Sequence, residues 1–301
     1  MTIINYIKNT WTEFSNDDGF MMAGALAYYT LFSIAPLLVI VIFVFGYVVD
    51  SANLEAALFQ QLGSIMGYSQ AEELQTIVDN ARATSSGVIA TIISTVTLII
   101  SSTAVVIQLK DALNKSWNVI KDPELGFKSI VIDRILSFGF LLGIGFIFLV
   151  SMGLNAIATQ LSDQVGRLLP EIGETSVIVI STTISLIVTT AMFLMLFKIL
   201  PDAKLHNKDL FIGALVTTLL FTVGRYAIGF YLGNSNINST FGGAGALASF
   251  MVWVYYNSII LILGAEFTQV YAAAHNRKIK PTDQSVKVQR VIKMKSTGEE
   301  L

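Results

Sequence analysis

Six uninterrupted apolar segments, each long enough to cross a lipid bilayer, constrain this chain more than any other feature of its sequence. They lie near residues 23–49, 87–107, 131–155, 175–199, 210–232 and 246–272. A membrane-spanning helix needs about 20 apolar residues, whereas a spanning β-strand has about 10 residues of alternating polarity. Because the segments are continuous, the sequence predicts an all-α, polytopic membrane protein with six transmembrane helices.

The composition agrees with that class. Hydrophobic residues make up 53% of the 301 residues and charged residues only 13%, whereas a soluble domain is typically about a quarter charged. The chain has no cysteine, which excludes disulfides, thiolate nucleophiles and cysteine-ligated metals. His206 and His275 are far apart in the sequence and lack metal-ligand spacing. We therefore expect no metal and no cofactor.

Basic residues are sorted to one side of the predicted bundle. Lysines and arginines concentrate between spans two and three, between spans four and five, and in the tail 276–301. The 50–86 loop instead carries Arg82 against five acidic residues. Because basic loops stay in the cytoplasm, both termini are predicted to be cytoplasmic. We expect the basic tail to be loosely structured and attracted to anionic lipid.

Two shorter segments have helical periodicity outside the spans. Residues 50–86 are predicted to form an extracytoplasmic helical hairpin, because apolar residues recur at helical spacing from Leu54 and again after the SQAE capping pattern. Near the start, apolar residues from Ile3 to Phe14, with Trp11 as an anchor, predict an amphipathic helix on the inner membrane surface. Residues 1–275 are thus predicted to form a single transmembrane domain.

Arg225, in the stretch FTVGRYAIGFYLGN, is the one charged residue of the fifth predicted span. It lies about 10 Å from the outer end of that span. An arginine near mid-membrane costs about 2.5–3.5 kcal/mol on insertion scales. Either its side chain reaches outward to the interface, or it faces a polar cavity and binds an anionic group.

Other polar residues complete a predicted substrate-binding set. The WVYYN stretch places Tyr256 and Asn257 at mid-depth of the sixth span, where a buried amide must find a partner. Glu266 lies about 30 Å along that span, near the cytoplasmic face and too far from Arg225 for a direct pair. Pro36 removes one backbone hydrogen bond from the first span and frees a carbonyl for polar binding. The predicted set is therefore Arg225, Tyr256, Asn257, Glu266 and Pro36.

Four segments in a fixed order carry a family resemblance. They are GALAYYTLFSIAPLL in the first span, LKDALNKSWNV after the second, LFKILPDAKL before the fifth and VWVYYNSIILILGAEF in the sixth. With these motifs the sequence resembles the YihY/BrkB family, also called ribonuclease BN-like, over about residues 10–275. The resemblance implies a bacterial inner-membrane protein with six helices. Members of that family are suspected of moving lipid or another envelope molecule.

The residues themselves disfavour the ribonuclease name. Metal-dependent nucleases gather carboxylates or histidines around one or two cations, but the acidic residues of the predicted cytoplasmic loops show no ligand spacing. We expect no enzymatic activity and no specific nucleic-acid partner. Two hypotheses are left. One is a transporter or lipid flippase that moves an anionic lipid or other envelope molecule across the inner membrane, with membrane lipids as partners. The other is a non-transporting scaffold for envelope assembly.

Overall fold

The computed structural model describes residues 2–46, 51–66, 68–83, 88–126, 131–147, 149–150, 153, 170–234 and 245–288. Most of the glycine-rich outer loop 233–245, the far end of the third predicted span and residues 289–301 of the predicted tail lie outside these ranges. Every long element within them is a helix. The predicted all-α membrane class is confirmed.

The described helices coincide with the predicted elements. They are α1 Ile3–Asn16, α2 Gly19–Phe45, α3 Ser51–Met66, α4 Tyr68–Ala83, α5 Val88–Ser116, α6 at residues 131–147, α7 Pro170–Ile199, α8 Asn207–Asn234 and α9 Gly245–Ala274. The six predicted spans overlap α2 and the five helices from α5 to α9. Helix α5 continues past the predicted boundary at residue 107, because the leucines, lysines and alanine that follow are good helix formers.

Four of these helices are, within the residues described, long and apolar enough to cross a membrane. They are the segments Gly19–Val44, Thr182–Ile199, Asn207–Leu232 and Leu247–Ala274. Large apolar side chains on their outer faces, such as Val223 and Phe230, are well exposed, as expected where a helix faces hydrocarbon. The chain is therefore a membrane protein with several membrane-crossing helices, and the count of six spans stays a prediction.

The hairpin formed by α3 and α4 packs its apolar side on the helix bundle. Leu54 and Leu58 of α3 and Leu74 and Val78 of α4 are buried. They share one core cluster with residues of α2 and α9, among them Phe250. The helical spacing of the apolar residues in the sequence therefore identified the face that docks.

Helix α1 has the amphipathic character predicted for it. Phe14 is fully buried, whereas Ile7 and Trp11 are exposed, as expected for a helix that lies in a membrane interface. The turn into α2 is tight, because Asp18 has a left-handed backbone with φ of 57°. Gly19 follows it, and a Cβ there would lie 2.3 Å from the Phe14 ring. The glycine is thus required where α1 folds back against α2.

The predicted tail is folded as far as residue 288, which differs from the expectation of a loosely structured segment. Strand β3 Lys280–Pro281 pairs antiparallel with β2 Ala203–Lys204, and β4 Ser285–Lys287 pairs antiparallel with β1 Val119–Lys121. Strands of two or three residues have no recognisable period in the sequence. They form here because the tail meets two loops that are distant in the sequence.

Helices α8 and α9 are antiparallel and approach each other at two glycines. A Cβ at Gly213 of α8 would lie 1.9 Å from the hydroxyl oxygen of Thr268, and a Cβ at Gly264 of α9 would lie 2.0 Å from that of Thr217. Each threonine hydroxyl donates to a carbonyl of its own helix, at 2.7 Å in both cases. Small residues of this kind permit close packing of membrane helices.

Candidate functional site

Arg225 and Tyr256 lie at the same level of the α8–α9 pair. A Cβ at Gly224 would lie 3.0 Å from the Tyr256 ring and 3.3 Å from its hydroxyl. The Arg225 guanidinium lies 5.3 Å from the centroid of the exposed Tyr226 ring, which is a cation–π distance. Both alternatives for Arg225, outward reach and an anion-binding cavity, stay predictions.

The side-chain amide of Asn257 forms one hydrogen bond within its own helix, through its nitrogen. Its Nδ2 donates to the Trp253 carbonyl at 2.7 Å. Its Oδ1 and the Trp253 Nε1 are buried, and neither has a hydrogen-bond partner among the described residues. An acceptor and a donor are thus available one helical turn apart on α9. A ligand or a water molecule can use them.

Glu266 lies apart from Arg225. Because Gly264 meets Thr217 and Tyr256 meets Gly224, Glu266 is ten residues along α9 from the level of Arg225, or about 15 Å. Its side chain is 0% exposed. Of the predicted set, Arg225 and Tyr256 therefore lie at one level of the α8–α9 pair, and Glu266 lies in a separate buried region.

Pro36 lies beside an apolar cavity of about 300 Å³ between α2, α3, α5 and α6. Helix α2 continues through the proline, and its neighbours Ile34 and Leu37 line the cavity. The complete lining is Thr30, Ile34, Leu37, Leu38, Val41, Leu58, Leu62, Val105, Val106, Leu109, Phe140, Leu141, Ile144 and Gly145. The Thr30 hydroxyl donates to the Leu26 carbonyl at 2.7 Å. The cavity therefore offers a ligand aliphatic and aromatic surface.

A network of ion pairs at one end of the bundle was not predicted from the sequence. The Lys110 Nζ lies 2.8 Å from a carboxylate oxygen of Asp133 and 2.8 Å from one of Asp202. Lys121 also binds Asp133. The Asn114 amide donates to the Asp202 carboxylate at 3.1 Å, and the Asp202 N–H donates back to Asn114 at 2.8 Å. We call this network, together with strands β1 to β4, the polar cap.

The charge state of Lys110 follows from these contacts. Burial disfavours its ammonium, but the hydrogen bonds and negative charges of Asp133 and Asp202 outweigh that effect, so the pKa of Lys110 is raised above its usual 10.5. Lys110 lies beyond the predicted end of the second span at residue 107. The polar cap is therefore a folded, charged structure that lies beyond the predicted end of the second span.

The tail closes the polar cap. The Ser285 hydroxyl donates to the Asp202 carbonyl at 2.6 Å, and the Thr282 N–H donates to the same carbonyl at 2.9 Å. Arg277 binds Asp209, which is fully buried in the first turn of α8. Arg277 is therefore engaged within the protein, although the sequence predicts a basic tail attracted to lipid.

Arg134 of α6 shows how the bundle accommodates a guanidinium near the membrane. It donates to the Ile100 carbonyl and to the Thr103 hydroxyl, both at 2.7 Å. In the sequence, Arg134 is one of the basic residues near the start of the third predicted span, and nothing there predicts these two bonds. The motif segments after the second span and before the fifth contain Lys110, Asn114 and Asp202, and this concentration of polar residues was the available signal for the polar cap.

Fold and site together define a multi-pass α-helical membrane protein, with an apolar cavity among its helices and a polar cap at one end of the bundle. Comparison with known proteins makes the identification more specific. The family described as Virulence factor BrkB matches residues 10–288, and the chain belongs to this family.

Individual relatives are distant but cover much of the chain. A UPF0761 membrane protein of Psychrobacter sp. is 25% identical over 93% of this chain and 51% of its own length. A UPF0761 membrane protein of Klebsiella pneumoniae is 27% identical over 73% of this chain and 70% of its own. The putative ribonuclease-like protein YfkH of Bacillus subtilis is 24% identical over 93% of this chain and 98% of its own length. The chain thus spans about half the length of the Psychrobacter relative. No solved structure matches the chain.

Proposed function

We propose that this protein moves a membrane lipid, with an anionic lipid as the preferred substrate, across the bacterial inner membrane. The observation that supports this most directly is the apolar cavity of about 300 Å³, which is at the lower end of the range of ligand pockets. It lies between helices that overlap predicted spans and is bordered by α3 of the hairpin. An acyl chain is the ligand whose chemistry matches this lining, because a buried polar group would find no partner there.

The preference for an anionic lipid comes from Arg225. A guanidinium recognises a phosphate through two parallel hydrogen bonds. Arg225 lies beside Tyr226 and at the level of Tyr256, so a head group at this position would meet a positive charge and a phenol. The acyl chain and the head group are thus assigned to different parts of the bundle.

The test is translocation of a fluorescent phosphatidylglycerol in liposomes that contain the purified protein. Replacing Ile144 of the cavity lining with Trp fills the cavity with a large side chain. We expect Ile144→Trp to lower the translocation rate without lowering the thermal stability. Ile135→Trp is the matched control on the same helix, because Ile135 is 66% exposed and does not line the cavity.

An unchanged rate in Ile144→Trp would remove the cavity from the mechanism. If the wild-type protein moves neither phosphatidylglycerol nor phosphatidylethanolamine, the transport proposal fails and the scaffold hypothesis takes its place.

A further inference from the structure

Glu266 is a buried carboxyl group that the polar cap does not pair. It is 0% exposed, and neither of its oxygens has a hydrogen-bond partner among the described residues. The polar side chains that interact with its carboxyl group are Ser116 at the end of α5, Asp17 in the turn between α1 and α2, and, through charge alone, Glu13 of α1. Asp17 is itself only 2% exposed. Two carboxyl groups are therefore enclosed together where α1, α2, α5 and α9 meet.

The Ser116 hydroxyl is a second observation that points to a ligand here. It is 0% exposed, and apart from its approach to Glu266 its oxygen has no hydrogen-bond partner among the described residues. It lies beside Glu266. A buried hydroxyl without a partner is uncommon in folded proteins. The Ser116 hydroxyl is thus available as a hydrogen-bond partner for a ligand that binds beside Glu266.

Two charged pairs on the surrounding elements are engaged elsewhere, and Lys8 of α1 is exposed. Lys115 of α5 binds Asp18 at 3.0 Å. On α8, which packs on another face of α9, Asp209 binds Arg277. Met22 and Leu26 of α2 pack in one apolar cluster with Ile262, one turn of α9 away. The groups that face Glu266 and titrate are therefore acidic, namely Asp17 and the more distant Glu13.

Two adjacent carboxylates in a low-dielectric interior repel each other, and this repulsion favours a state in which one of them is protonated. A Ca²⁺ or Mg²⁺ ion takes about six oxygen ligands, and the described residues contain no group of three or more acidic or histidine side chains placed to hold a metal. A proton needs only the two carboxyl groups that are enclosed here.

We propose that Glu266 and Asp17 form a binding site for one exchangeable proton, with the Ser116 hydroxyl as an additional hydrogen-bond partner. Binding converts one carboxylate into a carboxylic acid, whose O–H donates to the other carboxyl group, and no other bond changes. Release of the proton leaves two negative charges that repel, which weakens the packing of the α1–α2 turn on α9.

This inference deepens the proposed function, because a protonation that alters helix packing is the means by which lipid movement would be coupled to a proton. Only this coupling role rests on the proposed function; the proton-binding site itself does not. The site lies at the end of α9 that is predicted to face the cytoplasm, so its proton would exchange with that side.

The first measurement does not depend on transport. We would record infrared difference spectra of the protein in lipid nanodiscs while the pH is stepped from acidic to mildly alkaline. The expected result is a carboxylic-acid C=O band that persists at neutral pH in the wild type. The band should be lost in the near-isosteric variant Glu266→Gln and shifted in frequency in Asp17→Asn and Ser116→Ala. It should be unchanged in Glu124→Gln, because Glu124 is an exposed carboxyl.

A band that persists in Glu266→Gln, or its absence from the wild type at neutral pH, would overturn the site. If Glu266→Gln fails to fold, the frequency shift in Asp17→Asn and Ser116→Ala decides, and an unshifted band in both refutes the assignment.

The second measurement is lipid translocation against pH. Above the midpoint of titration the protonated fraction falls about tenfold per pH unit, so the wild-type rate should fall in proportion, whereas Glu266→Gln should give a flat profile. If the infrared band is present but the wild-type translocation rate does not change with pH, the proton site exists and is not coupled to lipid movement. A wild type that moves no lipid would refute the proposed function and leave the infrared result to stand.

Discussion

Replacing Lys110 with Met removes the one cation that Asp133 and Asp202 share and keeps the length of the side chain. The Lys110 Nζ lies 2.8 Å from each carboxylate, and the lysine is 7% exposed. Removing one partner from a buried ion pair typically costs about 3–5 kcal/mol, because the remaining charge is uncompensated. Asp133 keeps Lys121 and Asp202 keeps Asn114. We therefore expect Lys110→Met to lose about 3 kcal/mol of unfolding free energy, the lower end of that range.

The assay is an unfolding titration in mixed micelles, followed by tryptophan fluorescence, since the buried Trp117 lies close to the polar cap in sequence and structure. Lys121→Met is the matched control. Its side chain is 29% exposed and Asp133 would still hold Lys110, so the loss should be about 1 kcal/mol or less. In Lys110→Met/Asp202→Asn one of the unpaired carboxylates is gone, and part of the lost stability should return.

Equal stability of Lys110→Met and the wild type would show that the polar cap is solvated and contributes little. The pH dependence gives an independent check. Because the pKa of Lys110 is raised above its usual 10.5 in the folded protein, its contribution is fully present below that value and is lost as the pH rises through the folded-state pKa. If the unfolding free energy of the wild type already falls near neutral pH, and Lys110→Met removes that fall, Lys110 is not the stabilising cation described here.

The remaining predictions concern packing, charge and topology. Gly213→Ala places a Cβ 1.9 Å from the opposing threonine hydroxyl, so it should lose about 1–3 kcal/mol of unfolding free energy; Gly139→Ala, with open space around it, should lose none, and equal melting of the two would refute the close approach. Arg225→Met should abolish translocation of anionic lipid while Arg225→Lys restores it only partly, and a wild-type rate in the Met variant would make the arginine a boundary anchor. A cysteine in place of Glu72 should react with an impermeant thiol reagent in intact cells, whereas one in place of Lys204 should not; labelling of the latter would reverse the orientation.

The helical framework was predictable because it depends on local chemistry. Continuous apolar runs predicted the helices, and the spacing of Leu54, Leu58 and Leu74 predicted which side of the hairpin docks, since a helix displays its period in sequence. The exposed face of α1 followed from the same rule. These are properties of one segment at a time, and a single sequence contains them.

The polar cap was not predictable, because its contacts join residues distant in the sequence. Lys110 and Asp202 are on different elements, and the concentration of polar residues in their two segments does not tell which of them pair. The proximity of Asp17 to Glu266 has the same cause, since a turn between α1 and α2 brings an N-terminal residue against α9. That Arg225 and Tyr256 lie at the same level follows from the antiparallel packing of α8 and α9 at Gly224, which the sequence alone does not show. Charged residues in loops show their roles only once the chain is folded.

The strands contributed by residues 280–287 have a consequence for how the chain is made. Two loops that leave the ribosome early acquire their β partners only when the segment after the last long helix has been synthesised. Until then Asp209 lacks Arg277 and the Asp202 carbonyl lacks Ser285. A chain that stops at Ala274 would therefore lack both short sheets and the partners of Asp202 and Asp209. Pairing of β4 with β1 is thus a late event in the synthesis of the polar cap.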